Sequence, residues 1–330
     1  MAKVKFGVIA DLHGEIMPDG MDRLNKFLLD ADAEDADFVV QLGDFCSAGS
    51  RNALACDDCD TPVNVANLHT KTPPADMNGM IKRYVNYRKP SYSVIGNHDA
   101  DMWYRAPVLE SYNMPGSFYS VDACGFHLIF LDCNYYRDEN GSFIAYEGGN
   151  YFSHDDLPYI PPHELEWIKN DIIHTDLPVL IFSHQSIAHP ELGIKNSLQL
   201  RETLRELKNA GKRILMALNG HNHTDGLVEI DDTVFFDVNS ASNYWGGQKY
   251  ACMRYSIEVD ENFPSVRYTF PYTEPLYAFV SIDSERYIEI KGKSANFFGK
   301  TPTDLGHIGF GGWSKITPSI KSRRIFIGNG

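Results

Sequence analysis

The first two thirds of the sequence predict a layered α/β fold, and the last third predicts a β-rich region. Short aliphatic and β-branched runs alternate with helical patterns up to about residue 225, which is typical of β-α units that build a layered sheet. From Gly226 onward the helical periodicity vanishes and strand-like segments follow one another. With 330 residues, of which 43% are hydrophobic and 22% charged, the chain has the composition of a globular protein.

The first elements follow from local patterns in chain order. A continuous apolar run at residues 4–10 indicates a buried strand, and apolar residues at helical spacing over residues 20–29 indicate a helix. Two runs at residues 117–121 and 126–131 flank Gly125 and indicate a pair of antiparallel strands. Further strands are predicted at residues 38–42, 92–95, 179–182 and 214–218.

Two more helices are predicted between the later strands. Pro161 and Pro162 are typical of a helix start. Asn196 or Ser197 caps the next helix, and Gly211 closes it. The apolar faces of these helices consist of Leu165, Ile168 and Ile172 in the first and of Leu200, Leu204 and Leu207 in the second.

The last third of the chain reads as strands throughout. They are predicted at residues 227–230, 234–238, 250–259, 266–270, 276–282 and 287–290. Residues 261–330 are rich in Gly, Pro and aromatic residues, and two alternatives stay open for them: they complete a second sheet, or they form a small appended β unit.

The overall charge limits which classes of binding partner are expected. The chain has 30 Lys and Arg against 44 Asp and Glu, a net charge of −14, so nucleic acid is not an expected partner. No stretch approaches the roughly 18 consecutive apolar residues of a membrane span. Met1 leads directly into a strand-like segment without a signal-peptide core, which predicts a cytoplasmic protein. The six cysteines are too sparse for a disulfide scaffold.

Five short polar motifs stand at or just beyond predicted strand ends. In chain order they are Asp11-Leu12-His13, Gly43-Asp44, Gly96-Asn97-His98-Asp99, Ser183-His184 and Gly220-His221-Asn222-His223. Ligands of open α/β sheets bind beyond the carboxyl ends of the strands, so these residues are expected to converge. Carboxylate, imidazole and amide groups together suit Mn, Fe, Zn or Co better than Ca or Mg.

In this order the five motifs resemble the calcineurin-like metallophosphoesterase superfamily, whose pattern is DxH, GD, GNH(D/E), H and GHxH. The resemblance implies a two-sheet β-sandwich flanked by helices, with two divalent metal ions at the strand ends. It places His98 beside the metals as a general acid or electrostatic stabiliser. By position, it assigns Asp11, His13 and His223 to one metal, Asn97, His184 and His221 to the other, and Asp44 as the bridge between them.

This arrangement suits phosphoester hydrolysis. Two metals roughly 3.5–4 Å apart hold a hydroxide between them and polarise a phosphoryl oxygen, and His98 is placed to protonate a leaving alkoxide. Two dications at the floor of the cleft also let an acidic chain bind phosphate. We therefore expect a binuclear metal-dependent hydrolase of small soluble phosphate monoesters or diesters, with Mn, Fe or Zn as the metals.

The residues after Asp44 depart from two branches of the superfamily. Phosphoprotein phosphatases continue GDxVDRG, whereas this chain reads GDFCSAG at residues 43–49. Purple acid phosphatases place a Tyr three residues after the Asp, where this chain has Ser47. Many cyclic-nucleotide phosphodiesterases carry Asp there, so Ser47 weakens that interpretation without excluding it.

Two long connections are expected near the site. Residues 46–90 form an insertion between Asp44 and Asn97, either a lid or a segment packed on the body. The insertion contains Cys56 and Cys59, which read as a solvated loop because no second CxxC accompanies them. Residues 134–152 carry Tyr135, Tyr136, Tyr146 and Tyr151, either packed inward or forming a flat wall for a nucleotide or aryl group.

The predicted organisation is a catalytic domain over residues 1–260 and a C-terminal β-rich extension over residues 261–330. A nucleotide-directed phosphodiesterase or pyrophosphatase is the alternative within the enzyme class, and a DNA-repair nuclease is disfavoured by the acidic charge. The alternative of another class is a non-catalytic metal-binding scaffold. Such scaffolds of the superfamily usually lose ligand histidines, and here every ligand position is filled.

Overall fold

A computed structural model describes residues 2–46, 75–101, 103–189, 191–309 and 316–327. Most of the predicted insertion, including Ser47, Cys56 and Cys59, lies outside the described residues. The helices are α1 (Gly20–Ala33), α2 (Ala75–Val85), α3 (Arg105–Ser111), α4 (Pro162–Ile173), α5 (Ser197–Asn209) and α6 (Ile257–Asn262). The strands are β1 (Lys3–Ile9), β2 (Phe38–Gln41), β3 (Ser91–Ser93), β4 (Tyr119–Ala123), β5 (Phe126–Phe130), β6 (Tyr135–Arg137), β7 (Phe143–Ala145), β8 (Val179–Phe182), β9 (Ile214–Asn219), β10 (Gly226–Ile230), β11 (Thr233–Asp237), β12 (Asn243–Trp245), β13 (Thr269–Pro271), β14 (Ala278–Asp283), β15 (Tyr287–Gly292) and β16 (Arg323–Phe326).

Two six-stranded sheets dominate the fold, which confirms the predicted sandwich. The first has the strand order β16-β15-β14-β1-β2-β3, and the second has the order β10-β11-β9-β8-β5-β4. Three neighbouring strands run parallel in the first sheet, β1-β2-β3, and four run parallel in the second, β5-β8-β9-β11. The remaining pairs are antiparallel. Parallel strands bring their carboxyl ends to one edge of each sheet.

Aromatic side chains join the two sheets. Phe6 stacks on Phe38 in the first sheet, with ring centroids 5.1 Å apart, and Phe130 stacks on Phe182 in the second, with centroids 5.0 Å apart. Phe6 meets Phe182 edge to face at 5.7 Å across the interface. All four rings are buried in one apolar cluster formed by both sheets, so this interface is the main core of the molecule.

The outer faces of the sheets are covered by helices. Helices α1 and α2 pack on the first sheet, where Phe27, Leu28 and Tyr84 are buried against Val39 and Phe279. Helices α4 and α5 pack on the second sheet through the apolar faces that the sequence predicts, and these residues are buried: Leu165, Ile168, Ile172, Leu200, Leu204 and Leu207. The four helices thus give the molecule a helix-sheet-sheet-helix layering.

The C-terminal residues complete the first sheet. Strand β14 pairs antiparallel with β1 in a register that matches Val4 with Ile282 and Val8 with Ala278. Of the two alternatives for this region, completion of a sheet is therefore the one observed, although the first sheet is the one completed. The boundary at residue 260 between a catalytic domain and an extension stays a prediction.

Two predicted strands are wrong. A 3-10 helix at Pro264–Tyr268 occupies most of the strand predicted at residues 266–270, and β13 begins only at Thr269. Residues 250–259 were expected to be extended, but α6 occupies Ile257–Asn262 and a 3-10 turn occupies Gln248–Tyr250. The side chain of Ser256 accepts a hydrogen bond from the backbone N–H of Val259 and so caps α6 at its N-terminus. This cap decides the local structure over the β-branched residues that indicated a strand.

Within the described ranges, the chain contains no helix whose length and apolar character would let it cross a membrane. The cytoplasmic location stays a prediction.

The core predicts the effect of one substitution. Phe182→Ala removes a ring that contacts aromatic partners in both sheets, so we expect the free energy of unfolding to fall by about 3–5 kcal/mol. Phe326→Ala is the matched control, since Phe326 is 64% exposed on the edge strand β16, and we expect a change within about 0.5 kcal/mol. Urea unfolding followed by circular dichroism measures both. Equal losses for the two variants would contradict the assignment of this interface as the main core.

Candidate metal centre

The polar residues at the strand ends adopt an unusual backbone. Positive φ angles are rare for residues other than glycine, cost of order 1 kcal/mol or more each, and cluster at functional sites. Five of the motif residues have them: Asp11 (50°), His13 (43°), Asp44 (49°), His221 (67°) and His223 (50°). The same turns that end the strands therefore set the direction of these side chains.

Two glycines of the motifs allow the turns to approach one another closely. A Cβ atom on Gly96 would lie 2.1 Å from Oδ1 of Asp44, and a Cβ atom on Gly220 would lie 2.4 Å from Oδ2 of Asp11. Any larger residue would displace these carboxylates. The glycines of GNHD and GHNH are thus needed for the positions of aspartates that are distant in sequence.

Asp11, His13 and His223 form the first candidate ligand group. The Nε2 atoms of His13 and His223 are 3.3 Å apart, and Nε2 of His223 is 3.4 Å from Oδ1 of Asp11. Nδ1 of His223 lies 2.7 Å from the backbone carbonyl of Asn243, which can only accept, so Nδ1 is the donor and Nε2 carries the lone pair. All three side chains are buried.

Asp44, His184 and His221 form the second candidate group. Nε2 of His184 lies 3.1 Å from Oδ2 of Asp44 and 3.2 Å from Nδ1 of His221. Oδ1 of Asn97 lies 3.1 Å from the same Nε2 atom, so the structure brings Asn97 to this group. Nδ1 of His184 donates to the backbone carbonyl of Leu42 at 2.7 Å, which turns Nε2 toward the other ligand atoms.

Asp44 lies between the two groups. Its Oδ2 atom is 3.1 Å from Nε2 of His184 in the second group and 4.0 Å from Nε2 of His13 in the first. Its Oδ1 atom accepts a hydrogen bond from the backbone N–H of His98 at 2.8 Å. This is the position that a carboxylate bridging two ions would occupy.

Burial and neighbouring charge set the protonation of the imidazoles. Burial is the main cause that lowers the pKa of both His13 and His221 to about 3, so both rings are neutral, the form that binds metals. Burial opposes the charged form of His184 as well. The Asp44 carboxylate and its hydrogen bond outweigh that effect and raise the pKa of His184 to about 9. Within the second group, His184 therefore favours its charged form and His221 its neutral form.

The donor set fits divalent transition-metal ions. In each group, lone pairs of imidazole nitrogens and carboxylate oxygens face one another within about 3–4 Å, and such an arrangement is repulsive unless a proton or a cation lies between the atoms. Nitrogen and oxygen donors in this mixture suit Mn, Fe or Zn. Hydrogen bonds to backbone carbonyls orient His184 and His223 as they do for metal-bound histidines in general.

His98 lies beside these groups. Its ring centroid is 5.4 Å from that of His13, and its Nδ1 atom is 2.7 Å from Oδ2 of Asp101. The side chain is buried on the short turn His98–Ala100. The structure thus brings all eight sequence-predicted site residues to one edge of the two sheets.

Several supporting residues escape sequence reasoning. The carboxylate of Asp99 accepts hydrogen bonds from the backbone N–H groups of Asp44 at 3.0 Å and Gly96 at 2.8 Å, and so ties the two motif turns together. The ring of Trp245 lies 5.6 Å from His13 and 6.2 Å from His98, measured between centroids. Asp99 belongs to the motif Gly96-Asn97-His98-Asp99, so the sequence could have indicated its role. No sequence pattern indicated Trp245, since the pairing of β12 with β13 brings it to the site.

The four tyrosines of the aromatic connection over residues 134–152 pack inward. Tyr135, Tyr136, Tyr146 and Tyr151 are all buried, and the rings of Tyr146 and Tyr151 stack with centroids 4.1 Å apart. These four tyrosines therefore do not form the open wall that was one of the two alternatives for this segment.

A sequence model of the calcineurin-like phosphoesterase family matches residues 4–225. This match covers more than half of the chain and includes all five motifs, so the chain belongs to the calcineurin-like phosphoesterase family.

Solved structures show the same fold. A dimetal phosphatase from Danio rerio superposes with a TM-score of 0.57 at 15% sequence identity, covering 91% of this chain and 100% of that one. GAP50, described as the anchor in the inner membrane complex of Plasmodium, superposes with a TM-score of 0.54 at 12% identity, covering 100% of this chain and 90% of that one. At these identities the likeness concerns the fold alone. A comparison with curated proteins finds no match.

The position of Asp44 predicts metal content. We expect the wild-type protein to bind two divalent ions per chain and Asp44→Asn to bind both of them more weakly, because the two groups lose a shared anionic ligand. Asp304→Asn is the control, since Asp304 is an exposed aspartate far along the chain from the motifs. Elemental analysis after dialysis against Mn²⁺ or Zn²⁺ measures the stoichiometry. Unchanged binding of both ions by Asp44→Asn would show that Asp44 is not shared.

The close approach at Gly96 predicts a second effect on metal binding. Gly96→Ala forces the Asp44 carboxylate away, so we expect metal affinity to fall by about 10- to 100-fold, as for loss of a residue that supports a ligand. Gly79→Ala is the matched control, because a Cβ atom there would meet its nearest neighbour at 3.9 Å. Calorimetric titration with Zn²⁺ compares the two variants. Wild-type affinity in Gly96→Ala would contradict the steric argument.

Proposed function

We propose that this chain is a binuclear metal-dependent phosphoesterase that hydrolyses small soluble phosphate esters. The observation that supports the proposal most directly is the position of Asp44 between two groups of converging ligand atoms. Membership of the calcineurin-like phosphoesterase family supports the reaction class. The metal ligands proposed are Asp11, His13 and His223 for one ion, Asn97, His184 and His221 for the other, and Asp44 for both.

The chemistry that two bound divalent ions supply at such a site is polarisation of the phosphoryl group and activation of a water molecule. The residues of the chain orient the ligands and supply the proton. The hydrogen bonds to Leu42 and Asn243 orient the imidazoles of His184 and His223 before any ligand binds. Burial of the ligand side chains strengthens each electrostatic interaction within the site.

His98 is proposed as the general acid. Its ring is next to that of His13 and therefore close to any ester bound between the two groups. Hydrolysis breaks the bond from phosphorus to the leaving oxygen, and the electron pair stays on that oxygen. A new bond forms from the attacking water oxygen to phosphorus, and a proton delivered from the protonated ring of His98 to the leaving oxygen completes the departure of the alcohol.

A nucleotide-directed phosphodiesterase or pyrophosphatase is the second candidate. Burial of the four tyrosines in residues 134–152 removes one reason for it. Trp245 supplies another, because this half-buried indole lies beside both His13 and His98, where a flat leaving group would stack.

A metal-binding scaffold without catalysis is the candidate from another class. GAP50, which has a similar fold, is described as an anchor. The scaffold is therefore included as one outcome of the experiment. A metal-supplemented screen of phosphomonoesters, cyclic nucleotides and nucleotide diphosphates, run in parallel, tests all three candidates. Hydrolysis of any of these by the protein loaded with two ions supports the enzyme, and two bound ions without hydrolysis support the scaffold.

The role of His98 predicts a dependence on the leaving group. We expect His98→Ala to lower turnover by about 10²- to 10⁴-fold on an alkyl phosphate with metal content unchanged. The loss should be smaller on an aryl phosphate with a very acidic phenol, since that leaving group needs little protonation. His174→Ala, at an exposed histidine, is the control. Equal loss on both esters would mean that His98 stabilises charge and is not the proton donor.

A further inference from the structure

The imidazole of His98 is held by a carboxylate from its own turn. Nδ1 of His98 lies 2.7 Å from Oδ2 of Asp101, three residues further along the short helical turn. An ionised carboxylate only accepts hydrogen bonds, so Nδ1 is the donor in this pair. Nε2 is then the ring nitrogen that points away from Asp101. The pair is buried, with His98 8% and Asp101 6% exposed.

The other oxygen of Asp101 is held by a tyrosine from a distant segment. The hydroxyl of Tyr151 donates to Oδ1 of Asp101 and lies 3.2 Å from the backbone carbonyl oxygen of Asn97. Tyr151 is also buried. Both carboxylate oxygens of Asp101 are therefore engaged, one by His98 and one by Tyr151, which restricts the carboxylate to one orientation.

The segment that carries Tyr151 is seated on the same turn through its backbone. The N–H of Gly149 donates to the carbonyl of Ala100 at 3.1 Å, and the N–H of Gly148 donates to the carbonyl of Trp103 at 2.8 Å. Gly149 has a φ of 69°, and a Cβ atom there would lie 2.8 Å from the backbone oxygen of Asp101. Only glycine allows this contact, so the tyrosine is placed by the fold of the connection.

We propose that Asp101 and Tyr151 are positioning residues that hold the imidazole of His98 toward the leaving group. This inference rests on the proposed phosphoesterase function and assigns the buried aromatic connection a part in it. Tyr151 orients Asp101, and Asp101 orients His98 through Nδ1. As the general acid, His98 carries a proton on both ring nitrogens and presents its Nε2–H group to the leaving oxygen. Carboxylates that orient metal-bound histidines typically account for about 10- to 100-fold in activity, and we expect the same order for Asp101 beside His98.

The chain offers a matched pair of variants. Tyr151→Phe and Tyr146→Phe each remove one hydroxyl from the same stacked pair of rings. The Tyr146 hydroxyl is buried and has no hydrogen-bond partner among the described residues, whereas the Tyr151 hydroxyl reaches Asp101. A general destabilisation of the connection affects both variants, and loss of positioning affects only Tyr151→Phe.

Turnover on two esters provides the kinetic test. We expect Asp101→Asn to lower kcat for an alkyl phosphate by about 10- to 100-fold and Tyr151→Phe by a smaller factor, both with KM and metal content unchanged. Both variants should lose less on an aryl phosphate with an acidic phenol, and Tyr146→Phe should behave as wild type. Equal losses on the two esters, or equal losses in Tyr146→Phe and Tyr151→Phe, would overturn the proposal.

A second measurement does not need turnover. In zinc-loaded protein with ¹⁵N-labelled histidine, a proton bound to Nδ1 of His98 should give a low-field resonance, assigned by its loss in His98→Ala. We expect Asp101→Asn to abolish it, Tyr151→Phe to shift it and Tyr146→Phe to leave it in place. If this pattern is found but no ester is hydrolysed, the proposed function fails and the positioning stands. If esters are hydrolysed but the resonance is unchanged in Asp101→Asn and Tyr151→Phe, the positioning proposal is wrong and the proposed function stands.

Discussion

The structure depends on the burial of two carboxylates, Asp11 and Asp44, at the carboxyl ends of neighbouring parallel strands. An ionised carboxylate in a protein interior costs several kcal/mol unless opposite charge or hydrogen bonds compensate it. Backbone N–H groups supply part of that compensation: His221 donates to Asp11 at 2.9 Å, and His98 donates to Asp44 at 2.8 Å. The imidazoles around the carboxylates complete a donor set that two divalent cations fit.

The arrangement of the sheets explains why this cost arises at one place. Strands β1, β2 and β3 end beside β8 and β9 of the facing sheet, and each strand passes into a tight turn that carries a polar side chain. The left-handed backbone at Asp11 and Asp44 accompanies close approaches of Gly96 and Gly220 to their carboxylates, where a Cβ atom would displace them. The aromatic contact between Phe6 and Phe182 packs the two sheets together, and each ligand group combines residues that follow strands of both sheets.

The sequence predicted the layered fold and the candidate site residues because each depends on a short pattern, a strand followed at once by a polar turn. What it could not predict depends on contacts between distant segments. Tyr151 contacts Asp101, 50 residues away in sequence, and β14 pairs with β1 from the other end of the chain. No local sequence pattern indicates either contact. Helix α6 was missed for the opposite reason, since the single cap at Ser256 outweighs a strand-like run.

Anomalous diffraction from crystals grown with Mn²⁺ tests the central claim most directly. The account predicts two anomalous peaks in each chain, one among Asp11, His13 and His223 and one among Asp44, Asn97, His184 and His221, with the Asp44 carboxylate in contact with both. A single peak, or two peaks of which only one contacts Asp44, would contradict the shared carboxylate and with it the binuclear centre.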